Sequence, residues 1–173
     1  MTRFPDIAGI SIIDMRPELD AIRRQYAPRY WHAAEALLAA ASLWGIAPPM
    51  AEDVIRPSGT FLHAQEETLA RIGQCYAAVS LVHAPNGLWA MATHGQTSTQ
   101  GYGAAPSVWH DNAYHSRDDA RLMAVHILAS WFQGIVTGRH SDAERELACR
   151  IVSLLEAERP RSFRYSERSC ASD

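Results

Sequence analysis

The chain contains no lysine: all 16 of its cationic residues are arginine. That absence excludes a phosphate-binding P-loop, whose G-x-x-x-x-G-K-[ST] motif places a lysine on the phosphates. A G-x-G-x-x-G dinucleotide fingerprint and a G-x-S-x-G nucleophile elbow are missing as well. Cysteine is scarce. Cys75, Cys149 and Cys170 are odd in number, far apart and never in a C-x-x-C pair. This argues against a disulfide framework or a thiolate zinc site, and for a reducing cytoplasm. No apolar run approaches the roughly 18 residues a membrane span needs; the Ala-rich stretch 33–46 is short and broken by Glu35 and Ser42. Arg3 precedes an apolar patch, but Asp6 and Asp14 interrupt it and no small-residue cleavage site follows, so no signal peptide is expected. Charge of one sign is lacking too. A net −3 gives no global field for nucleic acid and is too small for a DNA mimic.

What is present is ordinary globular composition, 47% hydrophobic and 20% charged over 173 residues. That length supports one real core, so a single domain over 1–173 is expected. Pro17 and the residues to Gln25 read as a short helix, and Pro28 opens a second that Gly45 stops. In that second helix Tyr30, Ala34, Leu37, Leu38 and Ala41 make one apolar stripe. Met50–Ile55 adds a helical turn, and Thr60 caps a further helix to about Gly73, which makes 17–73 an N-terminal helical part. The period then changes. Two apolar runs, 76–83 and 87–95, flank Asn86-Gly87 and predict a β-hairpin, because Asn and Gly accept the positive φ of a tight turn. The segment 96–105 reads as a loop or strand extension, and Ser107–Trp109 as a third short strand.

Ser116 and Asp119 form a capping box ahead of a helix over 117–136 that is apolar almost all round. Only Asp119, His126, Ser130 and Gln133 leave a polar seam, so this is a central buried helix. Ser141 and Glu144 cap a last, one-sided amphipathic helix over 142–158, and a tail over 159–173 follows. The expected fold class is therefore α+β: about four to five helices around a small antiparallel sheet, with 75–137 as a ββα part.

The most reactive side chains concentrate in Trp109–Arg117. A binding surface is expected from Trp109, His110, Asp111, Asn112, Tyr114, His115 and Arg117, with His126 reaching it from the helix seam. His110, Asp111 and His115 offer imidazole and carboxylate for a divalent metal or an acid–base pair. Their H-D-x-x-x-H spacing is not the helical pair of a zincin, however, and a loop whose polar groups satisfy their own backbone explains them better. No cofactor and no metal are expected. The Thr97–Gly103 loop is rich in small donors, as anion-binding loops are, and reads first as a hairpin extension. In the tail, Arg159, Arg161, Arg164 and Arg168 interleave with Phe163 and Tyr165, a pattern suited to single-stranded nucleic acid.

The run from Gly87 to Trp131 resembles a small ββα module found in accessory proteins of bacterial plasmids and phages. The likeness is carried by the strand GLWAMATHGQ, the loop GYGAAPS and the helix start at Ser116, Arg117 and Ala120. It implies a mobile-element context and no defined activity. Taken together, the sequence points to a cytoplasmic, non-enzymatic protein that binds another macromolecule, as an accessory or anti-defence factor. The rival readings are a metal-assisted hydrolase on His110, Asp111 and His115, and nucleic-acid binding through the tail.

Overall fold

Glycine and asparagine set the turns from which the sheet is built. The computed structural model describes residues 9–159 apart from the Trp31 side chain. Strands β2 (Gln65–Ile72), β3 (Cys75–His83) and β4 (Trp89–Gln96) form a meander. Ile72 lies opposite Cys75, so Gly73-Gln74 is a two-residue turn, and Gly73 supplies the positive φ of +59° that such a turn needs at its first position. Asn86-Gly87 turns β3 into β4, and the Asn86 carboxamide docks on the Leu43 carbonyl at 2.9 Å. Three short strands complete one antiparallel sheet: β1 (Ile12–Asp14), β5 (Gly101–Gly103) and β6 (Asn112–Tyr114). The strand order is β1-β6-β4-β3-β2, with β5 on the same side of β4 as β6.

The helices cover both faces. The pleat sends Ala77, Val79, Leu81, Met91 and Tyr114 to one face, where helices α4 (Arg117–Thr137) and α5 (Asp142–Ala157) close the larger core through Met123, Leu128, Phe132, Ile151 and Leu155. Val82, Ala90, Ala113 and Ile13 point the other way, against α1 (Arg16–Gln25) and α2 (Ala34–Ser42). A short α3 (Ala51–Val54) and two 3₁₀ turns complete this second layer. The fold class is α+β, with five α-helices and six strands among the described residues. No helix there is long and apolar enough to cross a membrane.

Both capping boxes form: Ser116 Oγ accepts from the Asp119 amide at 3.0 Å, and Ser141 Oγ accepts from the Glu144 amide at 3.3 Å. The helix expected from Thr60 to Gly73 is instead strand β2, and the N-terminal helical part therefore ends at Val54. Gln, Glu, Leu, Ala and Arg favour a helix intrinsically, but pairing with β3 overrides that preference. The bulge between Thr68 and Ala70 also breaks the alternation that would reveal a strand. Ser107–Trp109 is a turn bridged to Thr60, and the strands that follow the hairpin are β5 at Gly101–Gly103 and β6 at Asn112–Tyr114. In α2 the buried face is Ala36, Ala40 and Ala41, one step round from the anticipated stripe, since small side chains let this helix pack closely beside Trp44.

Candidate functional site

The loop between β5 and β6 leaves the sheet and returns to it. β5 pairs with β4 from His94 to Gln96, and β6 meets β4 only at Trp89. Among the described residues no strand therefore lies beside Ala90–Thr93 on this side, a gap of about 13 Å at the usual strand rise. A cleft of about 270 Å³ opens there, lined by Met91, Thr93, Tyr102, His110, Asn112 and Ile127, among others. Tyr114, 1% exposed, also lines it.

His110 fixes the chemistry of this cleft. Its Nδ1 lies 3.0 Å from the Met91 carbonyl, which can only accept, so Nδ1 carries the proton and donates. Nε2 is then the acceptor of the neutral ring. Burial holds the His110 pKa below its ordinary value, against the opposing pull of the Met91 carbonyl and the Asp111 carboxylate. Tyr102 donates to the Thr93 hydroxyl at 3.1 Å, and burial raises its phenol pKa. Asp111 reaches the cleft but is tied elsewhere: its carboxylate lies 3.2 Å from Arg23 and its carbonyl accepts from the Met15 amide. Among the described residues, neither His110 Nε2 nor the Asn112 carboxamide has a protein hydrogen-bond partner.

Four of the residues anticipated as a surface thus converge here: His110, Asp111, Asn112 and Tyr114. The other four do not. Trp109 packs edge-on against Tyr30 in the second core. His115 is exposed beyond the cleft, and Arg117 is bound to Glu67 at 2.7 Å. His126 turns toward Arg159, whose guanidinium lies 3.4 Å away. The seam on α4 consequently has no part in the cleft, and the apolar Ile127 supplies the wall from that helix. Met91, Thr93, Tyr102 and Ile127 were missed, since nothing local in the sequence brings them to the loop. Tyr102 alone carries a signal, as an aromatic between two glycines.

The metal-hydrolase constellation does not assemble. Among the described residues no three His, Cys, Asp or Glu side chains come together. His110 Nδ1 and the Asp111 carboxylate are both committed to protein partners, and His115 is exposed apart from them. The hydroxyls of Thr97 and Thr99 do not form an anion cradle either; they donate to the buried Glu144 carboxylate at 2.8 and 2.5 Å. These hydrogen bonds, Thr99 first, hold the Glu144 pKa below the usual carboxylate range. A Ser–His contact does occur, Ser80 Oγ to His94 Nε2 at 2.8 Å. The other nitrogen of His94 faces the Gly103 backbone, and among the described residues no carboxylate orients the ring. Of the arginines anticipated for nucleic acid, Arg161, Arg164 and Arg168 lie outside the described residues. Arg159 is 8% exposed and paired with Glu156 at 3.2 Å, so it is a packed side chain and not a solvated one. No protein-family model, curated protein or solved structure matches this chain.

Proposed function

We propose that the chain is a non-enzymatic binding protein of the cytoplasm that holds a segment of another protein in the cleft beside β4. The observation that carries this reading is the interruption of the sheet edge over Ala90–Thr93. A strand edge without a neighbouring strand can take an extended segment of a second chain, here on the edge groups other than the Met91 carbonyl, which His110 already occupies. Apolar walls with a few convergent polar groups are the usual make-up of a recognition site. The likeness of residues 87–131 to mobile-element modules supports the finer reading, an accessory or anti-defence factor that inhibits its partner.

Selection from a displayed random-peptide library on immobilised protein tests this. Wild type is expected to enrich a motif that Ile127→Trp, which fills the cleft, no longer retains. Enrichment that is equal with the folded Ile127→Trp variant, or none with wild type, removes the reading.

A further inference from the structure

We infer that the cleft is built to receive an uncharged planar amide, the carboxamide of a partner's Asn or Gln side chain. This rests on the cleft being the binding site proposed above, and it names what enters it. Among the described residues the lining carries no unanswered charge: Asp111 is the one formal charge on it and is neutralised by Arg23, and no arginine of these residues lines it to meet a phosphate or a carboxylate. His110 is held as a neutral ring whose Nε2 can only accept. Asn112 presents a carboxamide that both donates and accepts. A group that carries both an N–H donor and a carbonyl acceptor can answer both, and a carboxamide supplies the two.

Register places the groups on one face. Asn112 and Tyr114 alternate with Ala113 in β6, and Met91 and Thr93 alternate with Ala92 in β4. Tyr102 lies opposite Gly95 on that same face, and Ile127 of α4 covers it. The methylenes of a Gln or Asn side chain would lie on Met91, Tyr114 and Ile127 while the amide reaches the polar pair. A cleft of about 270 Å³ leaves room for one such side chain.

The test uses the full chain, labelled for NMR, and blocked single amino acids. N-acetyl-glutamine methylamide is expected to give saturable shifts at the His110 ring and the Asn112 side-chain amide, with a Kd of about 1 mM for a ligand this small. The glutamate and norleucine analogues should bind at least about tenfold more weakly, because each covers His110 Nε2 and the Asn112 carboxamide without answering both. Asn112→Leu should remove the Gln preference and Ile127→Trp should abolish binding, each at an unchanged unfolding cooperativity. Equal binding of Gln, Glu and norleucine analogues overturns the inference, as does tighter binding of adenosine or the absence of any saturable shift. Should the peptide library still enrich a motif without Asn or Gln, the cleft is a protein-binding site and the carboxamide assignment alone fails.

Discussion

His110 loses basicity on folding, and that single fact makes stability depend on pH. Its folded pKa lies below the unfolded value of 6.5, so the unfolded chain binds the proton more readily. The stability it contributes is fully present above about 6.5 and is lost as pH falls toward the folded pKa. His126 shifts in the same direction, through burial and then the nearby Arg159 charge. Thermal melts are therefore expected to show Tm falling between pH 7.5 and 5, with the fall reduced in His110→Gln and further in the double variant with His126→Gln. The buried Glu144 acts in a separate window. Its depressed carboxyl contributes above the unfolded carboxylate pKa of about 4.3 and loses that contribution as pH drops further. Glu144→Gln should leave the slope above pH 5 intact and flatten the one below 4; a change confined to the upper range would refute the assignment. At this scale the sequence was a good guide to which residues carry chemistry and a poor one to their partners. His110 and Asn112 stand out in a polar loop, whereas their apolar surroundings come from strands and a helix distant in the chain.

Elements were legible where local chemistry agreed with the final packing. Ser116 caps α4 and Ser141 caps α5, and both starts are written in four consecutive residues. Ser116→Ala is expected to cost about 1 kcal/mol in denaturant unfolding, the usual loss for a helix N-cap. Leu128→Ala, on the buried face of α4, should cost about 2–5 kcal/mol because a cavity remains where the core cannot close. The β3–β4 hairpin was legible through Asn86-Gly87. β2 was not, since its helix-forming residues and its bulge hide a strand that only β3 specifies. β1 and β6, three residues each, are too short to show any period. Close approach of elements is another long-range feature: a Cβ on Gly95 would lie 2.7 Å from the Trp131 ring. Gly95→Ala should therefore displace Trp131 and its edge-on neighbour Tyr102, destabilise by about 1–3 kcal/mol, and alter tryptophan fluorescence. An unperturbed spectrum would show that the ring has room to yield.

At the scale of the molecule, one sheet serves two cores. Val79 and Leu81 of β3 face α4 and α5, while Val82 of the same strand faces the layer of α1 and α2. An ionic chain reinforces the first side: Glu67 on β2 binds Arg117 and Arg121 of α4, and Arg121 goes on to Glu158 beyond α5. Burial alone would raise the Glu67 carboxyl, but the two guanidiniums outweigh it and hold the pKa low. Because β3 and β4 belong to both cores, neither is expected to melt alone. Fluorescence of variants keeping only Trp44, in one core, or only Trp131, in the other, should trace the same unfolding curve. Separated midpoints would show two independent units.

The outermost strand has a consequence for synthesis. Ile12 of β1 pairs with Tyr114 of β6, about a hundred residues later in the chain. At about 5–20 residues per second on the ribosome, β1 waits several seconds for a partner that has not yet been made. Leu19 and Ile22 of the helix that follows it share a layer with Ala40 and Ala41 of α2, so that part of the layer is available much earlier. The nascent chain therefore carries β1 with its edge unpaired until β6 emerges, a binding target for holding chaperones at that stage.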